Sequence, residues 1–444
     1  MTSARNRELL ALVPVAALLT AGFAAVFSQE NEQLGNLSLI YGAYFLAICI
    51  ATHVYLRIRL PNADPYLFPL MATLTAFGLV MIYRIDEGLA RDQANWFVLG
   101  LVLFALTIQF LRDYEVLERY RYTIAIGGLL VLLAPRLPGI GQQVNGAYLG
   151  VKIGPLAFQP AEFTKIAIVV FLASYLREHR EVLIVGARRV LGVTLPPLKH
   201  FGPMLVVWGA SMFMLVFIRD LGSSLIFFAA FLALLYVATG RFSFVVIGMA
   251  MFLVGAWFFA STVPHVHERV DIWLHPYDDP QGSGYQVLNS IFAQADGGLF
   301  GKGFGEALIT VPGTDNALLP AAQTDMIYAL IVNEVGLFGA VGVVLIYMLI
   351  AARGFKVALL AGDGFSKLLA TGLTAVFAIQ AFVIIGGVTR VIPLTGVTLP
   401  FISYGGSSIV ANFVLLALLL LVSDRAWREA AEPPGRMAAL GATA

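Results

Sequence analysis

The chain has 444 residues, 59% of them hydrophobic and only 12% charged, against about 45–50% apolar and roughly 25% charged in a soluble domain. Its mean hydropathy of +0.84 requires lipid, not water, as the solvent for most of its surface. Twenty-eight Lys and Arg balance 27 Asp and Glu, a net charge of +1 that offers no field for gripping nucleic acid, and the single cysteine, Cys49, excludes an intrachain disulfide or a cysteine-built metal cluster.

A hydrocarbon core needs about 20 apolar residues per helix. That length places spans at 8–28, 37–56, 66–83, 94–111, 121–134, 159–176, 204–218, 223–239, 242–262, 326–352, 366–388 and 408–423. The expected fold is therefore all-α: a polytopic membrane protein of about twelve transmembrane helices. The first run follows Arg5 and Arg7 but is too long for a signal peptide and leads straight into a second run, so it reads as a retained helix. An even count puts both termini on one side. Nineteen basic residues, among them Arg57, Arg112, Arg177, Arg188, Arg353 and Arg425, fall in the N-terminal tail and every second loop, against eight on the opposite side and Lys165 inside a span. The positive-inside rule makes both termini cytoplasmic. The chain divides into a tail and two helices (1–64), a membrane core (65–423) and a cytoplasmic tail (424–444).

Three noncytoplasmic segments exceed plain connectors. Residues 135–158 are Gly-rich. Residues 263–325 carry turn-forming pairs such as Asp279-Pro280, Gly297-Gly298 and Pro312-Gly313, which predicts a large structured extracellular loop. Residues 386–407, apolar but broken by Pro and Gly, predict backbone that dips into the membrane against protein, since lipid would leave it unsatisfied. The tail after 424, with Glu432-Pro433-Pro434-Gly435, reads as mobile.

Ionisable groups in spans usually face a polar cavity. Glu162 and Lys165, three apart at the start of the sixth span, share a helix face; they form either a structural ion pair or part of a cavity. Arg219 and Asp220 occupy a short turn that reads as an ordinary hairpin. His265, His267 and His275 share the large loop, where H-x-H without further spaced ligands is a weak zinc signal. Asp325 ends that loop and opens the tenth span. It serves either as a helix cap, which would keep it ionised, or as a general base, and the two readings are compatible. Glu334 lies nine residues deeper, about 13 Å along the helix, and is expected to pair internally. No G-x-x-x-x-G-K-[ST] motif occurs.

The texts Q-P-A-E-F-T-K (159–165), R-D-L-G-S-S (219–224), D-P-Q-G-S-G-Y-Q (279–286), G-G-L-F-G-K-G (297–303), T-D-M-I-Y-A (324–329) and I-S-Y-G-G-S-S (402–408) together resemble the SEDS family of membrane peptidoglycan glycosyltransferases, the group of RodA, FtsW and SpoVE. The resemblance covers about 65–423 and implies a ten-helix core. The two additional N-terminal helices and G-G-V-T-R-V-I-P-L-T-G at 386–396 resemble the actinobacterial RodA branch. What the resemblance implies is polymerisation of lipid II into β-1,4 glycan strands by inverting displacement of undecaprenyl diphosphate. That would occur on the outer face of the bacterial cytoplasmic membrane, beside a class B penicillin-binding protein, for elongation and cell shape. Asp325 matches the family's catalytic aspartate, and Glu162 and Lys165 its cavity pair. Arg269, Tyr285, Gln286, Ser290 and Lys302 match positions of the large loop, and Thr324, Ser403 and Tyr404 belong to two of the matching motifs. Lys165, Arg269 or Lys302 would supply cations for the leaving diphosphate. A divalent cation, Mg or Mn, fits the same chemistry with no ligand set legible, and no nucleotide is implied. Four positions depart from the family: Leu149 and Gly150 stand for Arg and Trp, Ala321 for Glu, and His275 for Asp in L-D-P. Alternatives are a lipid-intermediate flippase or transporter, the division-specific polymerase, and a scaffold. A transporter should carry charge at the midplane, whereas these residues cluster at the noncytoplasmic mouth.

Overall fold

A computed structural model describes residues 4–29, 37–144, 147–154, 156–185, 188–190, 193–195, 209, 218, 220–310 and 317–431. Its helices are α1 (Ala4–Gln29), α2 (Leu37–Arg59), α3 (Leu67–Ile85), α4 (Glu87–Phe110), the short α5 (Val116–Arg119), α6 (Arg121–Leu133), α7 (Pro160–Val185), α8 (Leu221–Thr239), α9 (Phe242–Thr262), α10 (Pro264–Leu274), α11 (Tyr285–Gly297), α12 (Ile327–Leu360), α13 (Gly364–Val388) and α14 (Gly406–Ala431). Among the described residues, nine helices are long and apolar enough to cross a membrane. The 13-residue α6 and α7, charged near both ends, fill the fifth and sixth expected spans. The expected seventh span at 204–218 lies outside the described residues apart from isolated positions, as do Arg219, the Pro312-Gly313 turn and the tail from 432.

Burial within the bundle fixes its centre. The apolar stretches of α13 and α14 are 78% and 89% buried, and that of α9 only 6%, so the first two form the core while α9 lies at the periphery of the described residues. The α14 helix packs on α4, and α13 on α7, α8 and α12. It also runs on to Ala431, past the domain boundary expected at 423/424, because Arg425 and Glu429 pair one turn apart and buried Asp424 accepts the Asn62 amide at 2.7 Å.

Residues 135–158 add what a purely helical reading omits. Strands β1 (Gly141–Val144), β2 (Ala147–Ile153) and β3 (Leu156–Phe158) form an antiparallel sheet in that order, with a bulge between Gln142 and Gln143. A segment outside the helices still has to pair its amides and carbonyls, and short hairpins do so locally.

The α12 helix is broken at Gly336 (φ 69°, ψ −176°). The chain after α11 fills the break. Lys302 and Gly303 amides donate to the Asn333 and Glu334 carbonyls, and the Leu337 and Phe338 amides donate to the Gly298 and Leu299 carbonyls. G-G-L-F-G-K-G thus caps both halves of a discontinuous helix, which is how an interrupted helix stays satisfied in an apolar setting. Arg84, closing α3, holds the same joint: it pairs with buried Glu334 at 2.7 Å and donates to the carbonyls of Gly305 and Ala307 at 2.8 and 2.5 Å.

Candidate functional site

Residues 389–405 run without regular structure between α13 and α14, yet Val397, Leu399, Phe401, Ile402 and Ser403 are buried. The irregular backbone expected from its Pro and Gly content is therefore packed into the protein over 397–403, while Thr389, Val391 and Gly396 are exposed. Each neighbour brings one of the residues singled out above.

Arg269 on α10 donates to the Leu394 carbonyl at 2.7 Å. Gly222, in the first turn of α8, approaches Thr395 and Val397 so closely that a Cβ would collide with the valine. Gly396 faces Asp325, leaving 3.9 Å between the place of a Cβ and the Oδ2 oxygen. Thr398 donates to Glu162 at 3.5 Å and bonds Ser408 at 2.8 Å. Ser403 donates to the Thr324 carbonyl at 2.6 Å, and the Tyr404 amide to the Gln323 carbonyl at 2.8 Å.

Asp325 does not cap α12. The N-cap position is Met326, with no side-chain cap bond, and Asp325 instead accepts from the Thr324 hydroxyl at 2.9 Å. The expectation that capping keeps it ionised is corrected accordingly. Burial lifts this half-buried carboxyl above the usual carboxylate range, opposed by bonds from Thr324 and its own amide, by the Arg269 charge and by a bond from Gln286. Its turn is set by Ala321, whose left-handed φ of 55° lets one carbonyl accept from both the Thr324 and Met326 amides. Among the described residues, the non-glycine positions with positive φ are Ala321, Arg390 and Phe401. All three flank this site, and such backbone persists only where surroundings over-determine it.

Glu162 and Lys165, 7% and 3% exposed, sit in a closed network. The Lys165 ammonium donates to Glu162 at 2.5 Å, Gln380 at 2.7 Å and Asn412 at 3.4 Å, which uses all three of its protons. Gln380 also donates to Glu162 at 3.3 Å and to the Thr398 carbonyl at 3.0 Å. Asp220 caps α8, accepting from the Ser223 amide at 2.9 Å and hydroxyl at 2.6 Å. Burial raises its carboxyl, the Ser223 bonds oppose that, Glu162 adds to it and Arg269 counters it.

The other loop positions make bonds of their own. Tyr285 donates to the Ala317 carbonyl at 3.0 Å. Buried Ser290 ties α11 to the Val388 carbonyl at 3.3 Å. Lys302, 44% exposed at its side chain, pairs with Asp296 at 2.7 Å. His267, near the start of α10, lies 3.0 Å from the carbonyl of Ala260 near the end of α9. Arg390 and Trp273 exchange hydrogen bonds at 2.9 and 3.0 Å, fastening the end of α10 to the dipping segment. Gln93, Gln380, Thr398 and Asn412 were not singled out from sequence. Uncharged polar side chains inside or beside apolar runs, which lipid does not tolerate unpaired, were the available signal.

The family model for FtsW, RodA and SpoVE, described as cell cycle protein, matches residues 65–427. Peptidoglycan glycosyltransferase RodA of Mycobacterium tuberculosis is 39% identical over 435 residues, 96% of this chain and 91% of that protein. The probable peptidoglycan glycosyltransferase FtsW of Geobacter metallireducens is 30% identical over 373 residues, covering 82% and 95%. A solved structure described as structural coordination of polymerization and crosslinking by a peptidoglycan synthase complex is similar with a TM-score of 0.65 at 27% identity, over 84% of this chain and 99% of that one.

Proposed function

The chain belongs to the family of FtsW, RodA and SpoVE, the cell cycle proteins, and from that premise we propose how it acts as a peptidoglycan glycosyltransferase of the RodA kind. Two features favour RodA over the division-specific relatives. The identity is 39% rather than 30%, and the RodA match spans 96% of the chain instead of 82%, enough to take in the two N-terminal helices.

The proposed substrate is lipid II, met at the outer face of the cytoplasmic membrane with both termini inside. Its sugar is held through an α-diphosphate and the product is a β-1,4 glycan, so a single displacement inverts the anomeric carbon. One base suffices. Asp325 takes the proton of the acceptor hydroxyl as the new C–O bond forms, the bond to the diphosphate breaks, and undecaprenyl diphosphate departs as an anion that needs cations but no proton. Arg269 is the cation whose charge acts on Asp325. Lys165 and Lys302 are each engaged elsewhere. The observation that carries this reading is the placement of Asp325, half-buried, free of capping, and set between Thr324, Gln286, Arg269 and Gly396.

A divalent cation, Mg or Mn, is proposed as arriving on the diphosphate. Among the described residues no three His, Cys, Asp or Glu converge, and Mg is commonly held by one or two carboxylates plus substrate phosphates. Bound there, it would offset the charge of the leaving group. A class B penicillin-binding protein is the proposed partner, supported by the likeness to a synthase complex.

The test is glycan polymerisation by the full chain and its partner with labelled lipid II in detergent. Detergent has no sides, so a flippase yields no polymer there. Polymer is the expected product; its absence with folded, partner-bound protein overturns the reading.

A further inference from the structure

The carboxylate turn at 323–325 is held to the dipping segment, and the dipping segment is held in turn by one side chain of α4. Gln93 is 1% exposed and uses both ends of its amide on that segment. Its nitrogen donates to the Ser403 carbonyl at 3.1 Å, and its oxygen accepts the Gly405 amide at 3.2 Å. Spanning residues i and i+2 in this way, it makes the two bonds a neighbouring strand would make to an extended chain. Between those two anchors, the Ser403 hydroxyl and the Tyr404 amide point the other way, to the Thr324 and Gln323 carbonyls at 2.6 and 2.8 Å. Trp96, one turn along α4, lies against Gly406, where a Cβ would come within 2.6 Å of its indole nitrogen. The segment is thereby fixed in depth and register against a rigid helix on one side and against the Asp325 turn on the other.

We infer that Gln93 is a positioning residue for Asp325, acting through Ser403 and Tyr404 on the turn that carries the carboxylate. The inference rests on Asp325 being the base. Without Gln93, a carbonyl and an amide lose buried partners, and the segment must shift to satisfy them. Asp325 then moves relative to the acceptor hydroxyl, and a displacement of about 1 Å costs on the order of 10²-fold in rate. The Thr324 bond that favours the ionised carboxylate is weakened by the same shift.

The experiment compares Gln93→Met, similar in length but unable to make either bond, and Gln93→Asn, polar but too short to reach both. Each is prepared as full chain with its partner and assayed on labelled lipid II across pH. Expected is a fall in kcat of about 10–100-fold with KM little changed, together with an acid limb displaced to higher pH. A role in folding alone lowers the yield of folded protein and leaves both kcat per folded molecule and the acid limb in place. That outcome in either variant overturns the inference. If Gln93→Met does not accumulate, Gln93→Asn decides on the same two readouts. Asp325→Asn is run in parallel. Activity retained there removes the base assignment itself, whereas an inactive Asp325→Asn beside wild-type kinetics in the Gln93 variants removes only the positioning role.

Discussion

Asp325 sits where two demands conflict. A base must be ionised to work, yet burial lifts this carboxyl above its ordinary range. Polymerisation should therefore decline as pH falls through that raised value, at a higher pH than an unburied carboxylate would give, and a rate profile with saturating lipid II measures it. Asp325→Asn keeps an acceptor for the Thr324 hydroxyl but removes the base, so a loss of about 10²–10⁴-fold is expected with partner binding intact. The sign on stability is opposite. A carboxyl with a raised folded pKa costs nothing below its unfolded-state value and loses stability progressively as pH rises from there through the folded value, so the Asn variant should melt above wild type at neutral pH, with the gap closing in acid. Equal melting temperatures at both pH values would deny the burial cost. Glu162 and Lys165 make a second case. Either single alanine strands a buried charge and should cost about 3–5 kcal/mol, whereas replacing both by apolar residues should cost less. Thermal melts of the two singles and the double decide it, and equal losses in all three would exclude a coupled pair.

At the scale of elements, the discontinuity in α12 is the feature that most depends on one residue type. Gly336 has a left-handed φ of 69°, and a Cβ there would lie 2.5 Å from the Leu299 carbonyl oxygen, a backbone atom that cannot rotate away. Gly336→Ala should therefore lower stability by about 1–3 kcal/mol or more, read as a drop in melting temperature. Gly342, further along the same helix with nothing within 4 Å of its Cβ place, supplies the control. Gly342→Ala should be neutral or slightly stabilising, because alanine is the better helix former. If both variants melt alike, the break is not what holds the 297–303 loop.

For the whole molecule, orientation follows from charge. Nineteen basic residues on one side against eight on the other predict that reporters in the 177–202 loop and after 424 read cytoplasmic, and that one near 310 reads outside. A cytoplasmic signal from 310 would place the Asp325 mouth on the wrong face for an outer-leaflet substrate. The N-terminal pair is joined to the core at the end that carries the N-terminus: Arg5 pairs with Glu8 and donates to the Ala63 carbonyl, His53 lies 2.8 Å from Glu8, and Arg353 pairs with Asp64 at 3.2 Å. Buried charges of this kind are tolerated because they are mutually paired.

The membrane class, the positions of the spans that fall among the described residues and the family motifs were legible in the sequence, because apolar runs of bilayer length and short texts such as T-D-M-I-Y are local properties of the chain. The placement of Asp325 at the head of a helix was legible too. Whether it caps that helix was not, since Asp at such a position satisfies both readings and only the surrounding backbone excludes one. Nothing local marks the break at Gly336, a glycine within an apolar run, because its cause is the 297–303 loop, which is distant in sequence. Gln93 lies more than three hundred residues from the segment it holds. The partner of a buried amide is chosen by packing, and packing between distant segments is what the linear order of residues leaves open.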